Sequence, residues 1–70
     1  MELSENKIPK FLFYKPRQTL YEVLFHVRIK HSTTSEWVDG LAYRELNKQG
    51  AQVYTRPFNK FDDKWEIYES

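Results

Sequence analysis

The stretch from Leu20 to His31, Leu-Tyr-Glu-Val-Leu-Phe-His-Val-Arg-Ile-Lys-His, constrains the fold more than any other part of the chain. Its odd positions are Tyr21, Val23, Phe25, Val27 and Ile29, and its even positions Glu22, Leu24, His26, Arg28 and Lys30 are mostly polar or charged. Side chains alternate sides along a strand, so the segment predicts a long β-strand with one dry and one wet face. The pattern sets an architecture and carries no chemistry of its own.

Such a strand needs a partner, and the chain holds one. Asp39-Gly40 fits a two-residue hairpin turn, which would end a strand at Val38 and begin another at Leu41. The alternative is one bent strand from Trp37 to Leu46, long enough to pair with Leu20–His31, in which Gly40 is a bulge or a point of close approach. The second reading is preferred. Around this pair, Phe11–Tyr14 predicts a first strand and Lys15-Pro16-Arg17-Gln18 a turn, because proline cannot serve a central ladder. Ser32–Ser35 is a polar reversal and Asn47-Lys48-Gln49-Gly50 a tight turn. Gln52–Arg56 predicts a fourth strand stopped by Pro57, residues 58–63 a loop or single helical turn, and Lys64–Tyr68 a fifth strand. No segment has sustained helical periodicity. The expected fold is mainly β, a five-stranded antiparallel meander rolled into a small SH3-like, partly open barrel over residues 11–70, preceded by a flexible arm over residues 1–10.

Seventy residues allow one domain, close to the lower limit for folding without staples. At about 0.05–0.15 kcal/mol per residue its stability is a few kcal/mol. There is no cysteine, so neither a disulfide nor a thiolate metal site assists, and five Phe, five Tyr and two Trp must supply much of the burial. No apolar run reaches the roughly 20 residues of a membrane span, and Met1–Lys7 has no signal-peptide pattern. A cytoplasmic protein is the expectation.

The net charge of +1 argues against a nucleic-acid binder with a strong global field. The charges are unevenly placed. Residues 6–31 hold Lys7, Lys10, Lys15, Arg17, Arg28 and Lys30 against Glu22, whereas the last ten hold Asp62, Asp63, Glu66 and Glu69 against Lys64. The two ends either neutralise each other or leave a basic surface for an anionic ligand.

Catalytic constellations are thin. His31 and Ser32 are adjacent, and neighbours on a strand point to opposite faces, which is poor geometry for proton transfer. His26 and His31 differ by an odd number and make a poor metal pair, Asp62-Asp63 reads as solvated or capping acids, and two glycines cannot build a phosphate loop. The chain calls for no cofactor and no metal, and its residues point away from an enzyme. Arg56-Pro57 with Phe58 and Phe61 is richer: a fixed arginine beside aromatics grips an anion and stacks a ring, unless Phe58 or Phe61 simply plugs the barrel end and Arg56 pairs with Asp62 or Glu66. Tyr43 is expected in the core, with Arg44 turned outward. Trp37 is the best candidate for an exposed aromatic anchor.

The pieces Phe13-Tyr14-Lys15, Tyr21-Glu22-Val23, His31-Ser32, Tyr43-Arg44, Arg56-Pro57 and Phe61 together resemble the domain of unknown function 1653 family, a group of small bacterial and phage domains. The resemblance spans residues 13–61, and its specificity lies in the order and spacing of short pieces. Relative to the family pattern the chain is two residues longer before His31 and two longer after Ser32. Such pairs preserve facing and lengthen a hairpin by about 7 Å at roughly 3.4 Å per residue. Pro16 stands in place of a glycine, Lys30 of an arginine, Thr33 of a common glutamate, and Asn59-Lys60 of Glu-Met, while Tyr54 stands near the family's tryptophan. The resemblance implies a small β-barrel of bacterial or phage origin and no assigned reaction.

The residues so far suggest a non-enzymatic binding module, an accessory or regulatory part that meets another protein or itself through aromatic surface around Phe11, Leu12, Phe13, Tyr14, Trp37 and Tyr54. A homodimer through the Phe11–Tyr14 run is one form of this. The alternative is an anionic ligand, a nucleotide or single-stranded nucleic acid, held by Lys15, Arg17, Arg28, Lys30, Arg44 and Arg56 with stacking aromatics. The candidate binding residues are Trp37, Tyr43, Arg44, Tyr54, Arg56, Phe61, His31, Arg28 and Lys30, and they form one site only if Trp37, Arg44 and Arg56 meet on one concave face.

Overall fold

The computed structural model describes residues 3, 6–31 and 33–68. Five strands, β1 (Phe11–Tyr14), β2 (Thr19–Lys30), β3 (Trp37–Glu45), β4 (Tyr54–Pro57) and β5 (Trp65–Tyr68), form one antiparallel sheet in the order β4-β3-β2-β1-β5. Single 3-10 turns at Lys15–Arg17 and Phe58–Lys60 connect β1 to β2 and lead from β4 towards β5. The predicted five antiparallel strands in a partly open barrel are present, with strand ends moved by one or two residues; β1 to β4 run as a meander and β5 crosses over to pair with β1. Among the described residues no helix is long and apolar enough to cross a membrane.

The sheet is curled. In a flat sheet the edge strands β4 and β5 would lie about 19 Å apart, four spacings of roughly 4.8 Å. Instead the guanidinium carbon of Arg56 on β4 sits 5.4 Å from the ring of Trp65 on β5. The two edges thus lean towards each other across a concave face and make a half-barrel. The core lies in that concavity: Leu12 and Leu41 are fully buried, Tyr43, Phe61 and Trp65 nearly so, and Leu3, Ile8, Tyr14, Tyr21, Val23 and Phe58 pack against them. Of the expected flexible arm, residues 1–2 and 4–5 lie outside the described set, while Leu3 and Ile8 rest on the core and Pro9 is buried.

The long hairpin departs from the expected clean alternation. Val23 pairs with Tyr43, but Phe25 pairs with Ala42, so Leu24 is an extra residue in β2. A bulge places two residues opposite one and shifts the facing of everything beyond it. Tyr21 and Val23 face the core as predicted. Past Leu24 the faces exchange: His26 pairs with the buried Leu41, and Arg28 and Lys30 follow on that concave side opposite Asp39 and Trp37. Phe25, Val27 and Ile29 pass to the convex side, where Phe25 is 57% exposed. The five odd positions therefore do not share one dry face.

Gly40 is the close-approach point and not the bulge. A Cβ there would lie 2.6 Å from the Arg56 carbonyl oxygen and 2.6 Å from Ile29 Cδ1. The basic N-terminal and acidic C-terminal segments are brought together where β1 pairs with β5, with Lys15 Nζ 3.9 Å from a Glu66 carboxylate oxygen. Both side chains are about half exposed, so this pair contributes little to stability.

Candidate functional site: an aromatic and arginine cleft

Strand pairing explains how the concave face collects its rings. Tyr14 ends β1 directly opposite Trp65, Tyr21 lies opposite Leu12 on one side and Glu45 on the other, and Tyr43 lies opposite both Val23 and Tyr54. All these positions have the inward phase, so the rings converge. Tyr14 and Trp65 stand 4.7 Å apart between centroids, Tyr21 and Tyr43 meet edge to face at 5.3 Å, and Tyr43 meets Trp65 at 5.6 Å. Phe61, 5.1 Å from Trp65, closes the floor. These separations are those of attractive aromatic pairs.

Two arginines complete the site. Arg56 Nε donates to the Tyr43 hydroxyl at 3.2 Å, and its guanidinium lies 5.4 Å from the Trp65 ring and 5.8 Å from the Phe61 ring. The sequence left open a pairing of Arg56 with Asp62 or Glu66; the structure gives it a tyrosine and two aromatic faces instead. Arg17 reaches the rim because the 3-10 turn after Tyr14 ends at Gln18 in the left-handed region, φ 47°, reversing the chain beside the cleft. The open cavity lined by Tyr14, Arg17, Tyr21, Tyr43, Tyr54, Arg56 and Trp65 has a volume of about 250 Å³. Glu45 shares the inward phase of Tyr43 but lies 3.3 Å from Lys48 Nζ and outside the cavity lining, so among the described residues the charged groups that line the cavity are Arg17 and Arg56.

Burial, and then the Glu45 carboxylate, raises the Tyr21 hydroxyl above its ordinary pKa of 10.0. A group whose folded pKa is raised contributes stability that is intact below its unfolded pKa and is lost as pH climbs through the folded one. The urea midpoint should therefore fall above about pH 10. Tyr21→Phe should reduce that alkaline fall; an unchanged profile would mean that Tyr21 ionises as freely folded as unfolded.

The nine candidate residues do not all meet. Tyr43, Tyr54, Arg56 and Phe61 converge in the cleft. Arg44 is on the opposite face, where its guanidinium donates to Glu22 at 3.1 Å. Trp37 is 61% exposed near the tip of the β2–β3 hairpin, opposite Lys30. Arg28 and Lys30 share the concave side but follow the hairpin away from the rings, and Arg28 lies 3.8 Å from Asp39. Exposed His31 turns its Nδ1 to Thr33, whose hydroxyl is 2.9 Å away, and Ser32 lies outside the described residues. Trp37, Arg44 and Arg56 thus fail the convergence that a single site containing them needs. Of the Phe11–Tyr14 run, Leu12 is buried and Tyr14 lines the cleft, so only Phe11 and Phe13 turn to the convex side.

Sequence reasoning missed Tyr14, Tyr21 and Trp65 as cleft residues. The missing signal is the β1–β5 pairing, which brings residue 65 to residue 14 and has no local marker. It also missed the contact between His26 Nε2 and Asp39 Oδ1, 3.0 Å long and partly buried, because the Leu24 bulge turns His26 onto the face of Asp39. His26 is not part of the cleft lining, and its ring lies 5.8 Å from Phe58. Among the described residues no group of three His, Cys, Asp or Glu side chains is placed to hold a metal. No family model, curated protein or solved structure matches the chain.

Proposed function

We propose that the chain is a non-enzymatic, accessory binding module whose working surface is the concave cleft, and that the cleft takes an anionic group attached to a flat ring, as in a nucleotide. The carrying observation is that Arg56 is held over Trp65 and Phe61 and bonded to Tyr43 while Arg17 stands at the rim. A fixed guanidinium offers paired donors to an anion, and the half-buried Tyr14 and Tyr21 rings and the exposed Tyr54 ring offer stacking above the buried Trp65 and Phe61. The same arginines disfavour a cationic guest, which would otherwise suit an aromatic cage. A cavity of about 250 Å³ is below the roughly 300–1,000 Å³ of sites for drug-sized ligands and suits a single ring. The net charge of +1 favours one nucleotide unit over a long strand.

On this reading the fold is SH3-like, the resemblance to the bacterial and phage domain family is one of kinship, and the protein works in the cytoplasm. A protein partner is the second reading, favoured by the exposure of Trp37 and Tyr54, 61% and 45%.

A thermal-shift panel of nucleoside monophosphates tests the proposal. Ligand at a hundred times Kd adds about 2.7 kcal/mol, and at about 4–8 °C per kcal/mol Tm should rise by roughly 10–20 °C. Arg17→Gln should abolish most of that rise while leaving the unliganded Tm in place, since Arg17 is exposed. A short single-stranded oligonucleotide should bind with affinity that falls steeply between low and physiological salt. If no nucleotide moves Tm and no oligonucleotide binds at low salt, the cleft reading is wrong.

A further inference from the structure

The convex face of the sheet carries a row of apolar side chains, of which Phe25 is exposed and Val27, Ile29, Val38 and Pro57 are half-buried. Beyond the Leu24 bulge β2 turns Phe25, Val27 and Ile29 outward, and β3 and β4 add Val38 and Pro57 in the same phase. None of the five belongs to the core cluster or packs against it. The apolar residues outside the strands that reach the core, Leu3, Ile8, Phe58 and Phe61, belong to or pack against the concave-side cluster. Among the described residues, then, this face has no cover.

The chain as a whole exposes more surface than a compact monomer of its mass. A monomer of 8.6 kDa is expected to expose about 4,700 Å², whereas this chain exposes 5416 Å². The excess, about 700 Å² summed over the whole chain, is of the same order as the roughly 800 Å² that each partner buries in a standard interface. The radius of gyration, 12.1 Å, likewise exceeds the roughly 11 Å of a compact chain of this length. Among the described residues, the outer end of the hairpin, where Arg28, Ile29 and Lys30 pair with Asp39, Val38 and Trp37, has no further strand paired beside it.

The charges on this face identify the occupant. Next to Phe25 and Ala42 lie Glu22 and Arg44, paired with each other across β2 and β3 and each part-exposed. A patch with one acid and one base beside an apolar stripe is self-complementary under a two-fold axis, where residue i meets j and j meets i. We infer that the convex face is the interface with a second copy of this chain: two sheets pack face to face on Phe25, Val27, Ile29, Val38 and Pro57, and Glu22 of each copy meets Arg44 of the other. This assembly uses Phe11 and Phe13 at its margin, leaves both clefts open, and does not depend on what the clefts bind.

Analytical ultracentrifugation of the full chain tests it. A species of twice the chain mass should dominate at high micromolar concentration and dissociate on dilution. Phe25→Lys should raise the dimer Kd at least about tenfold, with an unchanged far-UV circular dichroism spectrum, because the ring is already mostly exposed. The charges give a second readout that does not depend on folding. Glu22→Arg alone and Arg44→Glu alone both break the intramolecular pair and set like charges across the two-fold, so each should be monomeric. Mixed, they should form a heterodimer, because only the pairing between copies is restored. A wild-type monomer at millimolar concentration overturns the inference, and so does a dimer indifferent to Phe25→Lys and to the charge variants.

Discussion

Trp65→Ala is expected to remove roughly a third or more of the protein's stability. The Trp65 ring is 5% exposed and stands within 6 Å of Tyr14, Tyr21, Tyr43, Phe61 and the Arg56 guanidinium. Truncating a buried tryptophan to alanine costs about 3–5 kcal/mol, for lost transfer energy and the cavity left behind. A chain of 70 residues has only about 3.5–10 kcal/mol in total. The loss is also structural: β5 has a single neighbour, β1, and Trp65 is its one buried residue. Without that ring little holds β5 or closes the half-barrel. The second tryptophan supplies the contrast, since Trp37 is 61% exposed near the hairpin tip and its replacement by alanine should change stability by about 0.5 kcal/mol or less. Thermal melts of both variants decide the matter. A drop of at least about 12 °C is expected for Trp65→Ala; a shift no larger than that of Trp37→Ala would mean that the core is organised around other residues.

The difference between the two tryptophans shows what is legible in a single sequence. Trp37 stands beside a polar reversal and Gly40, outside any alternation, and its exposure follows from that. Trp65 opens a short strand whose partner lies some fifty residues away in sequence, and no nearby residue announces the pairing. The five strands, their order along the chain and the inward phase of Tyr21, Val23 and Tyr43 were all readable, because alternation and turn residues are local signals. The bulge was not. One extra residue inside a strand leaves almost no compositional trace, and here the trace is Leu24 itself, an apolar residue at a position of polar phase. That single residue turns Phe25, Val27 and Ile29 away from the core and brings His26 to Asp39. The pairing of Tyr43 with Tyr54 and of Leu41 with Arg56 puts Arg56 in the cleft, and Arg44, one residue along from Tyr43, necessarily faces away. Candidate residues chosen by type alone were therefore divided by strand phase into those the cleft collects and those it does not.

Gly40→Ala should destabilise the protein by about 1–3 kcal/mol, the usual cost of forcing extra volume into a packed site, and should damage the cleft as well. The obstacle is on both sides of the new methyl group. Ile29 Cδ1 lies 2.6 Å away and can rotate aside, but the Arg56 carbonyl oxygen, also at 2.6 Å, is backbone and moves only if β4 moves. β4 has four residues and one neighbour in the sheet, so it yields by shifting away from β3. That shift carries Arg56 off Trp65 and Tyr43, which is the geometry that gives the cleft its bound cation. A cycle with Ile29→Val, which removes only the Cδ1 methyl, separates the two obstacles. With backbone as the dominant one, Gly40→Ala should cost nearly as much in the Ile29→Val background as alone, read from urea midpoints. Full recovery in the double variant would place the conflict in the side chain and free β4 from blame. The same comparison reaches the site: in the folded baseline, nucleotide affinity should fall with Gly40→Ala and not with Ile29→Val, because only the first displaces the strand that carries Arg56.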